Sequence, residues 1–225
     1  MSIYYQDDMV TLYLGDCLTE HREWLDADVL VTDPPYGIAW KRGATTWYGK
    51  DGKPVRQNIE TVAGDKTPEV RDAALYAWGN RPGIVFGSWR VARPENVQHR
   101  LIWHKIGRNP GPINAPWFSA DEEIYIIGKG FSGRPHQTVY PTSENRATAP
   151  KSIGHPTPKP VPLMEQLINK CPGGVIADPF AGSGATLLAA RNQGRKSIGV
   201  ELEERYCEVI ARRLSQDILD FGATA

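Results

Sequence analysis

The sequence predicts an α/β fold, with a single seven-stranded, mostly parallel sheet and helices on both faces. Three observations lead there. Short runs of β-branched and aromatic residues recur along the chain, helical patterns separate many of them, and several runs end in a small or acidic residue. Strands that alternate with helices call for a largely parallel sheet covered on both sides. A length of 225 residues suits one domain, so a single unit over 1–225 is expected.

The expected strands are LYLGD (12–16), DVLVTD (28–33), GIVFGS (83–88), RLIWHK (100–105), EEIYIIG (122–128), GVIADP (174–179) and SIGVEL (197–202). Each is short and apolar, as buried strands are. The first helix is expected over 68–78, with Thr67 as N-cap and Pro68 at the first helical position. PVPLMEQLINK (160–170) and ATLLAARNQG (185–194) follow, the latter ending at Gly194 as C-cap. In residues 204–219, Tyr206, Val209, Ile210, Leu214 and Ile218 fall near one helical face. Residues 37–66 and 129–157 fit neither pattern and are rich in Gly, Pro, Thr and basic residues. Loops of such length in a compact domain are usually functional or disordered.

Composition narrows the class. With 40% hydrophobic and 23% charged residues, collagen, coiled coil and wholesale disorder are excluded. No apolar run approaches the roughly 18 residues of a membrane span. The opening MSIYYQDDMV is acidic and lacks the apolar core of a signal peptide. Three cysteines without a C-x-x-C pair make a poor disulfide or zinc framework, so reduced thiols and a cytoplasmic location are expected. Formal net charge is zero, yet residues 1–35 carry −7 and residues 79–118 carry +5. Such asymmetry can give one face a positive potential.

Two motifs stand at strand ends, where ligands bind in open α/β sheets. The first is DPPY, Asp33, Pro34, Pro35 and Tyr36. Two prolines remove two N–H donors and stiffen the backbone, leaving carbonyls free to point outward. With a carboxylate and a flat ring beside them, the set suits a planar group that bears an amine. The second is ADPFAGSGAT, 177–186, a strand running through a Gly-rich turn into a helix. It lacks the lysine of a phosphate-binding loop. The next expected strand ends in Glu201, an acid placed to bond ribose hydroxyls. Together they suggest an adenosine ligand without phosphates.

DPPY with FAGSG resembles the amino-methylating DNA methyltransferases, which use S-adenosylmethionine. The order, DPPY first, resembles their β group, whose motifs are circularly permuted relative to other members of this Rossmann-like fold. LGDC (14–17), HPTPKP (155–160) and GVELEERYCEVIARRL (199–214) resemble further pieces of that pattern. The commonest form of the HPTxKP box has Gln where Pro158 stands. The resemblance implies methyl transfer to adenine N6 in double-stranded DNA, with the target base flipped out. Asp33 and the Pro34 carbonyl would accept the two amine N–H bonds, with Tyr36 stacked on the base and Pro35 completing the motif. The cofactor would lie against Asp33, Asp178, Pro179, Phe180, Ala181, Gly182, Ser183 and Gly184. Glu201 would take the ribose, Leu202 would be a further cofactor contact, Asp16 and Cys17 would face the cofactor adenine, and Thr157 and Lys159 would close the pocket. No metal is implied, and no histidine pair has metal-ligand spacing.

Loops 37–66 and 129–157 are the expected DNA-contacting and target-recognition segments. Lys41 and Arg42 in the first, and Arg134 and Arg146 in the second, are the candidate DNA-binding residues. So small a recognition region suggests a short target, relaxed specificity or a second copy of the chain. N4-cytosine methylation shares the mechanism, but that subclass more often has Ser where Asp33 stands. A catalytically inactive DNA-binding relative would not need DPPY, Gly182, Gly184 and Glu201 intact.

Overall fold

The computed structural model describes residues 3–39, 47–48, 54–55, 62–107, 117, 120–143, 153–155 and 157–222. In chain order the strands are β1 (Ile3–Gln6), β2 (Val10–Leu14), β3 (Val29–Thr32), β4 (Trp47–Tyr48), β5 (Pro54–Val55), β6 (Gly83–Gly87), β7 (Val97–Ile106), β8 (Asp121–Ile127), β9 (Val139–Ser143), β10 (Ile176–Asp178) and β11 (Ser197–Glu201). The helices are α1 (Glu69–Trp78), α2 (Val161–Ile168), α3 (Ala185–Asn192) and α4 (Glu204–Gly222). Nine strands form one sheet in the order β1-β2-β11-β10-β3-β6-β8-β7-β9, and β4 pairs with β5 apart from it.

The sheet therefore has nine strands where seven were expected. The two additions are its edges. β1 is half exposed, and β9 carries Pro141, which an edge strand tolerates because one side makes no ladder bonds. Neither has the apolar run of a buried strand. The sheet is also mixed, with β1–β2, β6–β8 and β7–β8 antiparallel.

Central β3 is buried at every residue, the signature of a strand covered on both faces. Its alternation sorts the core. Val29 and Val31 face Leu163, Leu167 and Ile168 of α2, while Leu30 faces Trp24, Ala74 and Trp78 on the α1 side. Trp24 and Trp78 stack with centroids 5.9 Å apart. Each such side chain contributes about 1.5–3 kcal/mol through burial.

α1 begins one residue later than expected, because Pro68 takes the cap position and no side chain caps it. The end of α3 is as expected in kind. Gly194, at φ 65°, donates to the Arg191 carbonyl, and Arg195 donates to that of Ala190, both at 2.9 Å. That pair of bonds is the Schellman termination, which needs a left-handed residue.

The topology places the site. β3 passes through α1 to β6 on one side, while β10 passes through α3 to β11 on the other. β3 and β10 are neighbours, so the winding reverses between them and a crevice opens at their carboxyl ends. Asp33 follows β3 and Asp178 closes β10. Among the described residues, no helix is long and apolar enough to cross a membrane.

Candidate active site

A cavity of about 1130 Å³ occupies this crevice. It is lined by all four residues of DPPY and by Asp16, Cys17, Thr157, Lys159, Asp178, Pro179, Phe180, Ala181, Gly182, Ser183, Glu201 and Leu202. Single-ligand pockets usually hold about 300–1,000 Å³, so there is room here for two ligands side by side. Gly184 is not among the lining residues. At φ 76° it turns the chain into α3, and a Cβ there would meet Ile210 at 2.9 Å.

At one end, Glu201 is the hub. Its Oε2 accepts the Gly182 N–H and its Oε1 the Glu203 N–H, both at 2.8 Å. Burial pushes this carboxyl up to about 7 despite the two donors. Asp178 accepts from the Thr32 hydroxyl at 2.7 Å and from the Phe180 N–H at 3.2 Å, and burial raises it to about 6. Asp16 folds its own loop, its Oδ1 accepting from Leu18 and Thr19 at 2.7 and 3.1 Å. Burial raises the Cys17 thiol to about 12, so it stays protonated. His155 packs edge-on against Tyr206 at 4.5 Å and borders Gly182; burial lowers it to about 4, leaving it neutral.

At the other end, Asp33 sits within a cluster of charges. Lys159 bonds Asp33 Oδ2, and the Tyr36 hydroxyl lies 2.7 Å from Asp33 Oδ1 and 2.9 Å from Glu122 Oε2. Lys159 also meets Glu122 at 3.2 Å, and Lys105 bonds Glu122 Oε1. Two carboxylates and two ammoniums balance, as buried charges must. Burial would raise Glu122, but Lys159 and Lys105 outweigh it and hold that carboxyl down at about 2. Burial and the two carboxylates keep the Tyr36 phenol well above its ordinary range, hence protonated. Lys159, expected only to close the pocket, is thus bound to the DPPY carboxylate.

Glu122 and Lys105 carry no motif and were not singled out as site residues. Their only signal is position, Glu122 near the start of one expected strand and Lys105 at the end of another. Antiparallel β7–β8 pairing brings these ends to the same edge as Asp33. Asp65 was missed too. Its carboxylate accepts the Gly37 N–H at 2.7 Å and its carbonyl the Ala39 N–H at 2.5 Å, tying together the ends of the loop after DPPY.

The candidate DNA residues divide. Lys41, Arg42 and Arg146 lie outside the described residues. Arg134 does not line the cavity. It follows the far end of β8, and Lys170, beyond the end of α2, bonds its carbonyl. That is the end of the sheet opposite Asp33. Ser143, which ends β9, does line the cavity, so the part of 129–157 that follows it leaves the described residues beside the site. No metal-holding cluster of His, Cys, Asp and Glu occurs among the described residues.

A mixed α/β sheet with a cavity at its switch point defines a ligand-binding α/β class, and comparison narrows it. The family model described as DNA methylase, for N6 and N4 methyltransferases, matches residues 46–212. The chain belongs to this family, as a DNA amino-methyltransferase of the β group. It is similar to the DNA adenine methyltransferase YhdJ of Escherichia coli (strain K12), with 44% identity over 248 residues, 93% of this chain and 84% of that one. It is also similar to the type II methyltransferase M.ScaI of Streptomyces caespitosus, at 40% identity over 95% of this chain and 84% of that one. Among solved structures, the M1.HpyAVI–SAM complex superposes with a TM-score of 0.64 at 22% identity, over 91% of this chain and 100% of that chain. The cytosine-N4-specific PvuII DNA methyltransferase gives 0.63 at 17%, over 93% and 87%.

Proposed function

We propose that this protein methylates the exocyclic N6 of adenine in DNA, with S-adenosylmethionine as methyl donor. The observation that carries the reading is one cavity with an adenosine-type end at Glu201 and an amine-type end at Asp33. The 44% identical adenine methyltransferase favours adenine over cytosine.

The residues fit the cofactor. Gly182 has no Cβ where one would come within 3.1 Å of His155. Glu201 has lone pairs left after its two backbone donors, enough for ribose hydroxyls. Bound there, S-adenosylmethionine supplies a methyl group on a sulfonium. Asp178, Phe180 and Ser183 would hold its methionine side, Asp16, Cys17 and Leu202 its adenine and ribose, and Thr157 would cover it.

An exocyclic amine is a weak nucleophile because its lone pair is conjugated with the ring. Asp33 and the Pro34 carbonyl accept its two N–H bonds, make the nitrogen more tetrahedral and aim the lone pair. Tyr36 stacks on the base. Alignment rather than a covalent intermediate supplies much of the rate. The base leaves the duplex first, since its amine is otherwise paired and buried. The segments after DPPY and after β9, with Lys41, Arg42 and Arg146, contact DNA. Arg134 reaches DNA only if the duplex extends past the catalytic edge.

The test is direct. Unmethylated genomic DNA is incubated with protein and S-adenosylmethionine, digested to nucleosides and analysed by mass spectrometry. N6-methyl-2′-deoxyadenosine as the product supports the proposal, and N4-methyl-2′-deoxycytidine in its place makes cytosine the target. The absence of both, with cofactor bound, makes the chain a binding module.

A further inference from the structure

Among the described residues, Asp33 Oδ1 bonds the Tyr36 hydroxyl and Oδ2 the Lys159 ammonium. Both partners also reach Glu122 Oε2, at 2.9 and 3.2 Å. Glu122 thus grips both handles of Asp33. We propose that Glu122 is a positioning residue for methyl transfer, fixing the orientation in which Asp33 meets the target amine. The proposal rests on Asp33 being the acceptor of that amine.

The geometry explains why a second carboxylate is needed. Tyr36 has one proton and lies between two carboxylates, so its ring angle is set by both. Lys159 has three donors and could follow Asp33 through a range of rotations if it had no other anchor. Glu122 supplies that anchor from β8, a strand hydrogen-bonded on both sides. Lys105, on β7, holds the remaining Glu122 oxygen and lies 4.3 Å over the ring of Trp103. The chain of support runs from two paired strands to the Asp33 and Tyr36 side chains of DPPY. A misplacement of about 1 Å in a reacting group can cost on the order of 100-fold in rate.

The charges give a second signature. Asp33 is faced by Lys159 from the segment before α2, by Glu122 from β8, by Tyr36, and by Asp178 from β10, while Lys105 from β7 faces Glu122. The negative charge of Glu122 makes ionised Asp33 harder to form. Glu122→Gln removes that charge, so the acid limb of the kcat profile moves to lower pH. A purely structural residue would leave the limb in place.

The experiment uses the full chain, S-adenosylmethionine labelled on the methyl group and unmethylated genomic DNA. Glu122→Gln is expected to lower kcat by about 30- to 300-fold, keep cofactor Kd within about threefold, and shift the acid limb downward. Glu122→Asp keeps the charge and shortens the reach, so kcat falls while the limb stays at the wild-type pH. Asp33→Ala is the control for the underlying reading. If it is active, that reading fails. If it is inactive while folded Glu122→Gln keeps kcat within about threefold, or loses activity with an unmoved limb, the positioning role is overturned. Should Glu122→Gln not fold, an unchanged kcat for Glu122→Asp overturns it instead.

Discussion

The affinity for S-adenosylmethionine should depend on pH chiefly through one carboxyl group. Glu201 is 8% exposed, and burial pushes its carboxyl up to about 7. The ribose hydroxyls donate, so they select the ionised form. With the carboxyl at about 7, about nine-tenths is ionised at about pH 8 and about one-tenth at about pH 6. Cofactor Kd should then rise about tenfold between those values, or about 1.4 kcal/mol. Stability runs the same way chemically but opposite in sign. A carboxyl raised in the folded state favours folding below its unfolded value, and that contribution is lost as pH rises through about 7. Calorimetric titration across this range measures the affinity, and Glu201→Gln supplies the reference. In that variant one of the Gly182 and Glu203 N–H groups faces an amide NH₂, which should weaken the loop and the cofactor by about 1–3 kcal/mol. Its Kd should keep only the smaller dependence due to Asp178, raised by burial to about 6, and to the ligand's own α-amino group. A wild-type Kd that moves less than about twofold, or that moves identically in Glu201→Gln, would refute the reasoning.

Three further outcomes are expected. Asp33→Ala should abolish methyl transfer in a labelled-methyl assay while leaving cofactor Kd within about threefold, because Lys159 and Tyr36 keep Glu122 as a partner and the Glu201 end is untouched. Gly184→Ala should lower stability in urea denaturation by about 1–3 kcal/mol, since its φ is 76° and the added Cβ meets Ile210 at 2.9 Å; a neutral result would mean that the turn relaxes freely. Lys41→Ala with Arg42→Ala should flatten the salt dependence of DNA binding by about 0.9 for each phosphate no longer neutralised, in a filter-binding series on specific and scrambled duplexes.

The sequence pattern carried the central fold because β3, β6, β10 and β11 are buried apolar runs whose lengths and flanks read locally. The edges did not read, because β1 and β9 owe their pairing to neighbours rather than to composition. The same division holds at the site. DPPY and FAGSG are legible since proline, glycine and acid at fixed spacing make the local backbone what it is. Glu122 is legible only once register is known. In EEIYII, Glu122 enters the catalytic cluster while neighbouring Glu123 bonds Arg100 at 3.0 Å and Tyr125 at 2.5 Å elsewhere. Two adjacent glutamates in one strand point to opposite faces, and nothing in the local sequence says which of them serves the cluster. Asp65 is harder still, since its partner Gly37 lies 28 residues away.

Register also changes what the charge count means. The +5 of residues 79–118 suggested a basic face. Yet Arg81 lies over Trp78 at 3.6 Å and donates to the carbonyls of Leu25 and Ala27. Arg93 and Arg100 share buried Glu123, and Lys105 is bound to Glu122. Most of this charge is therefore used to hold strands and loops together, and little is left to attract phosphate. Arg90 differs. Its guanidinium stands 5.6 Å over the exposed ring of Trp89, and both residues line the catalytic cavity. A neutral protein that binds a polyanion must concentrate its uncommitted cations where the chemistry occurs. Among the described residues Arg90 stands at the rim of that cavity, so the number of phosphates such cations neutralise, not the total of 26 Lys and Arg, should set the salt dependence of binding.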